Sequence, residues 1–286
     1  MHVMDSSFLK TQMINLDSDK TDLDLPFQRR FAGLTRLYGV SGANAIAGAH
    51  VVVVGIGGVG SWTAEGLARS GVGTISLIDM DHISESNVNR QIHALTGTLG
   101  MSKVLAMRDR IGQINPECKV NCIDEFVTPE NWGLIWEQIS SVPISAVVDA
   151  CDQVKAKVAI AASLIQSQSQ RSALHPLPFI TVGAAGGKRL AHKVEIQDLA
   201  KVTHDPLLAQ LRTRLRKEHH AAREGKPIGL QCVFSTESVK GPDASCDITN
   251  DGTLNCHGYG SSVSVTSTFG LCAAGWICDQ LALNAT

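Results

Sequence analysis

Residues 51–71 read VVVVGIGGVGSWTAEGLARSG, and the fold turns on them. Four valines after His50 form a run apolar on both faces, as a strand covered on both sides requires. Gly55, Gly57, Gly58 and Gly60 follow, and then a helical pattern runs to about Arg69. A glycine loop between strand and helix lets the backbone approach a phosphate chain, and the helix N-terminus offers free N–H groups with partial positive charge. The next strand, TISLID, ends at Asp79, nineteen residues after Gly60, where a carboxylate can accept hydrogen bonds from ribose hydroxyls. Up to this point an NAD-binding dehydrogenase is served equally well.

The residues just downstream separate the readings. SESNVNRQIH brings Asn87, Arg90 and Gln91 close behind the ribose carboxylate, and GMSK brings Lys103 to the start of a helix. A diphosphate seldom needs several dedicated cations, whereas a triphosphate attacked at its α-phosphorus needs them to hold the leaving pyrophosphate. Taken singly, Arg90 and Lys103 are ordinary surface charge; their spacing from the glycine loop favours a phosphate role. In VVDACDQV, Asp149 ends a strand and Asp152 lies three residues on, where ligands sit at the carboxyl ends of parallel strands. A carboxylate there holds Mg²⁺ against phosphates or caps the helix that follows, and one residue can do both.

Working outward, residues 101–114 have helical spacing, with strands at 119–123, 144–149 and 178–182 and helices at 129–139 and 155–168. Upstream, FQRRFAGLTRLYG lies in a helical segment over 26–48, and residues 1–25 read as a disordered leader. Strands alternating with helices predict an α/β fold, a doubly wound, mostly parallel Rossmann-like sheet. It occupies residues 26–286, with a C-terminal substrate or crossover region from about 190 onward.

Composition bounds the function. The chain has 286 residues, 44% hydrophobic and 18% charged, with a net charge of −2, so any nucleic-acid contact has to come from a local basic patch. The eight cysteines form no CxxC pair, which leaves a four-thiolate zinc site without support. The N-terminus lacks the apolar core of a secretory signal, and free thiols in a cytoplasmic protein are the expectation. Residues 258–278 carry no charge and could be mistaken for a membrane span, but their glycines and hydroxyls read better as a loop entering a buried helix.

The nucleotide motifs resemble those of the ubiquitin-activating enzyme superfamily, which includes the bacterial MoeB and ThiF adenylyltransferases. They are GIGGVG, the LIDMD strand end, SNVNRQ, GxxK at 100–103 and DxxD at 149–152. The resemblance implies an ATP site formed by the four loop glycines with Asp79, Asp81, Asn87, Arg90, Gln91, Lys103 and Asp149, and Mg²⁺ on Asp152. It also implies a homodimer in which Arg30, in QRRF, reaches the partner's nucleotide. Further along, RFAGLTRLYG, INPEC, DEFVTPEN, TVGAAGG, DLAKVTHDPL and QCVFSTE resemble the branch of that superfamily that modifies tRNA. From about residue 27 to near the C-terminus, the likeness implies ATP-dependent dehydration of threonylcarbamoyladenosine beside the anticodon. The motifs after residue 180 are absent from MoeB and ThiF, whose paired zinc cysteines this chain lacks.

Other residues carry two readings each. Cys232 suits a thiol relay with a cysteine desulfurase and its sulfur acceptor, or a buried inert thiol. In LRTRLRKEHHAAREGK, residues 211–226, Arg212, Arg216 and Arg223 fall on one face of a continuous helix and suit RNA phosphates or simple solvation. His204 and Asp205 suggest acid–base chemistry, although Asp205 before proline reads first as a helix cap. GAAGG at 183–187 suits a close backbone approach by substrate, or tight packing alone. The rival functions are activation of a sulfur-carrier protein's C-terminus, a nucleotide-binding scaffold for sulfur transfer, and an NAD-dependent oxidoreductase.

Overall fold

A computed structural model of the chain describes residues 25–170, 176–223, 225–243, 245 and 259–285. The leader expected over 1–25 lies outside these apart from Leu25, the first residue of a helix. In chain order the elements are α1 (Leu25–Gly48), β1 (His50–Val54), α2 (Gly60–Arg69), β2 (Thr74–Ile78), α3 (Lys103–Ile114), β3 (Lys119–Ile123) and α4 (Trp132–Ile139). They continue with β4 (Ala146–Asp149), α5 (Val154–Gln170), β5 (Phe179–Val182), β6 (Val194–Asp198), α6 (Pro206–Glu218), β7 (Gln231–Ser235) and α7 (Val263–Leu283). Gly39, at φ 73° and ψ 175°, breaks α1 into two helical pieces.

The seven strands lie in the order β3-β2-β1-β4-β5-β7-β6, all parallel except β6, which runs antiparallel to β7. All five residues of β1 are buried, which is why its valines do not alternate with polar residues. The order reverses between β1 and β4, whose register pairs Val54 with Asp149. A crevice opens at such a reversal because the helices after the two strands leave toward opposite faces. The glycine loop after β1 and the segment after β4 therefore meet at one place.

Each face of the sheet has its own core. One includes Leu67, Met107, Phe269 and Ile277 from α2, α3 and α7; the other includes Ile135, Ile160, Leu164 and Leu208 from α4, α5 and α6. The uncharged stretch over 258–278 falls largely in α7, which packs along α2. A Cβ on Gly270 would collide with Val59 and Trp62, so the helices approach closely there. No helix among the described residues is long and apolar enough to cross a membrane.

The β6–β7 pair, which extends the sheet beyond β5, was not read from the sequence. The helix cap read at Asp205 is present: α6 begins at Pro206, with Asp205 accepting from the Leu208 N–H at 2.9 Å. Because α6 ends at Glu218, the continuous basic helix expected over 211–226 does not form, and Arg223 lies beyond it.

Candidate active site

At the crevice, Gly55 has φ 84°, and a Cβ there would press on Cys151 N at 2.8 Å; a Cβ on Gly60 would collide with the Gly55 carbonyl oxygen. Glycine is thus required at both positions by close backbone approach, and at Gly55 by conformation as well. The loop is fastened to β2, since the Ile56 N–H donates to Asp79 Oδ2 at 2.6 Å and the Asp81 N–H to Oδ1 at 2.9 Å. Burial raises the Asp79 carboxyl pKa, and the nearby Lys103 charge partly opposes it.

Lys103 is buried at the start of α3, with its ammonium 2.6 Å from Asp81 Oδ2. Arg90 lies over the loop, so a Cβ on Gly58 would touch its side chain at 3.4 Å. Its guanidinium donates to Ser86 O at 2.6 Å and Asn89 Oδ1 at 2.9 Å, while its carbonyl accepts from Trp62 Nε1 at 2.9 Å. One arginine, one lysine and the start of α2 thus surround the glycine loop, as a polyphosphate site requires.

Three of the residues expected at the nucleotide turn inward instead. Asn87 caps a short turn, its Oδ1 accepting from the Ser84 N–H at 3.1 Å. Gln91 is buried with Oε1 unpartnered, beside the equally buried His93. Asp149 is fully buried and does not face the crevice: Lys157 Nζ donates to its Oδ2 at 3.0 Å and Thr181 Oγ1 at 2.7 Å, while its Oδ1 accepts from the Cys151 N–H at 3.2 Å. It shapes the segment that carries Asp152, replacing the direct nucleotide contact expected of it.

Asp152 is exposed next to Cys151, which abuts Gly55, and no hydrogen bond or ion pair from the described residues engages its carboxylate. A free carboxylate beside a phosphate loop fits a Mg²⁺ ion whose other ligands are phosphate oxygens and water. No group of three or more His, Cys, Asp or Glu that could hold a metal occurs among the described residues.

Of the two readings of Cys232, the geometry favours the buried, inert thiol: the residue lies fully buried inside β7, and burial pushes its thiol pKa well up. Arg212 donates to Leu199 O and Val202 O at 3.0 and 2.8 Å, Arg216 to Ala222 O at 3.0 Å, and Arg223 to Arg216 O at 3.2 Å. These guanidiniums fasten the chain to itself rather than forming one open basic face. Arg30 donates to Ile114 O at 3.1 Å, at the opposite end of α3 from Lys103.

Sequence reasoning missed the buried cations. Lys157 falls in step with Ile160, Ala161 and Leu164 on the core face of α5, and that misplaced charge was its signal. Lys188, after GAAGG, is buried and donates to His204 O, Ser235 O and Glu237 O, each at 3.1 Å. His93 carries a measurable consequence. Burial, with Lys103 and Arg110 nearby, lowers its pKa from 6.5 to about 4. Between those values the unfolded chain binds a proton that the native chain refuses, so stability falls as pH drops through this window, by about 3 kcal/mol in all. Denaturant titrations should show that slope, and His93→Gln should flatten it.

This geometry has known counterparts. Residues 28–276 match the ThiF family. The chain belongs to the ThiF family. The Escherichia coli (strain K12) tRNA threonylcarbamoyladenosine dehydratase is 43% identical over 256 residues, covering 86% of this chain and 91% of that protein. The E. coli enzyme TcdA in complex with AMP superposes with a TM-score of 0.79 at 40% identity, covering 94% of this chain and 99% of that one. Its complex with ATP gives 0.78 at 40% identity, covering 92% and 97%. The ThiF assignment agrees with the crevice at the β1–β4 reversal and with a seven-stranded, mostly parallel sheet.

Proposed function

We infer that this ThiF-family chain is an ATP-dependent tRNA threonylcarbamoyladenosine dehydratase. The observation that carries the reading is the set of Arg90, Lys103 and Asp152 around one glycine loop, in a chain related over nearly its whole length to a dehydratase seen with ATP and AMP. In the first step the threonyl carboxylate attacks the α-phosphorus of ATP, pyrophosphate leaves, and an acyl-adenylate forms. In the second, the carbamoyl group of the same side chain attacks the activated carbonyl; the acyl–phosphate bond breaks, AMP leaves and one proton is lost. Water is removed overall, and the tethered nucleophile gains a high effective concentration.

Arg90 and Lys103 hold phosphate charge, and Lys103 exchanges its Asp81 contact for phosphate oxygen. Asp152 would hold Mg²⁺, which supplies neutralising charge for the leaving pyrophosphate. Asp79 braces the loop and accepts from ribose. A homodimer is part of this reading: Arg30, at the Ile114 end of α3 and so away from Lys103 in its own chain, would serve the nucleotide of a second copy. A sulfur-relay partner is not, since Cys232 is inaccessible.

Nucleosides from threonylcarbamoyl-modified tRNA, incubated with the protein, ATP and Mg²⁺, should lose the mass of one water in an ATP-dependent manner. An unchanged mass from a protein that binds ATP would reject the reading and favour activation of a carrier protein's C-terminus.

A further inference from the structure

A solvent-open cavity of about 460 Å³ lies beside the N-terminal end of α6, lined in part by Thr203, His204, Arg212, Ser238, Val239 and Tyr259. That volume suits a nucleoside, and the lining mixes apolar walls with a few polar groups, as small-ligand sites do. The nucleotide mechanism uses none of these residues.

The cavity is built rather than incidental. His204 has φ 55°, a conformation uncommon for a side chain with a Cβ, and it is clamped from both sides. Lys188 holds its carbonyl, and Asp205, the next residue, accepts from the Ala184 N–H at 2.9 Å and from the Leu208 N–H at 2.9 Å. A Cβ on Gly183 would collide with the Asp205 carboxylate, which explains the glycine that opens the loop after β5.

A short strip of chain links the cavity to the phosphate site. Tyr259 lines the cavity; the next residue, Gly260, accepts from the Gly187 N–H at 3.0 Å; and Ser261 O accepts from Asn89 Nδ2 at 2.9 Å, next to Arg90. Two residues of backbone span at most about 7 Å. The four bonds from the adenine N6 to the threonyl carboxyl carbon cover about 5 Å when extended, the reach by which a base held at Tyr259 would present its carboxylate toward the Arg90 side of the strip.

We propose that this cavity receives the modified adenosine of the tRNA, turned out of the anticodon loop, and that Tyr259 offers its base a stacking surface. The proposal rests on the dehydratase reading and adds a substrate chamber to it. A base splayed from a single-stranded loop onto an aromatic ring is the usual mode of RNA recognition, and no protein group has to enter an RNA groove.

Two variants test it: Ala209→Phe, which fills the cavity from α6, and Tyr259→Leu, which removes the ring. Each is assayed for ATP binding by titration, for thermal melting, and for kcat/KM of dehydration with modified tRNA. Unchanged ATP affinity with kcat/KM lowered by about tenfold or more in both would support the chamber. Wild-type kcat/KM in both variants would overturn it while leaving the dehydratase reading intact. Should Ala209→Phe melt early, Tyr259→Leu decides alone on the same criteria. A wild-type protein that binds ATP but does not dehydrate the tRNA would overturn the function and the chamber together.

Discussion

Asp152→Ala should lose about a hundred- to a thousandfold in turnover while melting at the wild-type temperature. The two halves of this expectation have separate causes. Stability is untouched because Asp152 is exposed and its carboxylate makes no hydrogen bond or ion pair with the described residues. Turnover suffers because this is the carboxylate that the fold places at the mouth of the loop; Asp149, three residues earlier, is committed to Lys157 and Thr181. Nucleoside mass spectrometry and a melting curve on the same preparation measure both halves. Asp152→Asn should resemble Asp152→Ala, because an amide does not bring the negative charge that holds a divalent cation. Retained turnover in either variant would remove Mg²⁺ from Asp152.

Lys157→Met should be the most destabilising single change, costing about 3–5 kcal/mol. Lys157 and Asp149 are both fully buried, and Lys157 Nζ reaches Asp149 Oδ2 and Thr181 Oγ1, each at 3.0 Å. Burial alone pulls the ammonium pKa down; the Asp149 charge, Cys151 and the hydrogen bond to Asp149 together outweigh it, and the net shift is upward. Methionine keeps the volume but strands a carboxylate in the core. A domain stable by about 5–15 kcal/mol has little margin for that. Lys157→Met combined with Asp149→Asn should recover part of the loss, because the stranded charge is gone, and urea unfolding of the singles and the double closes the cycle. A single-variant cost near zero would show that the pair does not hold β4 and α5 together.

The sequence disclosed the parts of this protein governed by periodicity and glycine. Four valines, a glycine loop and Asp79 placed β1, α2 and β2 where the structure has them, and the alternation of elements implied a parallel sheet. It was silent on orientation. Asn87, Gln91 and Asp149 occur beside Arg90 and Asp152 in the chain, yet they point into the interior, because one turn of backbone decides which neighbour faces the crevice. The β6–β7 pair escaped notice because β6 is half-buried and lacks a clean alternation, and β7 reads as any short apolar run. The arginines after residue 211 looked like an RNA face because composition records charge but not the carbonyls that occupy it.

The close seating of α7 on α2 has a consequence for the order in which the protein becomes competent. Thr266 Oγ1 reaches Arg90 O, 176 residues upstream, and Gly270 presses on the backbone where α2 begins. On the ribosome the glycine loop and the arginine emerge well ahead of α7, since synthesis proceeds from the N-terminus. Until α7 docks, one flank of α2 is bare apolar surface and the arginine segment lacks the Thr266 contact, though it keeps its bond from Trp62 Nε1. ATP should therefore protect the chain from proteases only once α7 has docked, and a chain cut before Val263 should show no such protection.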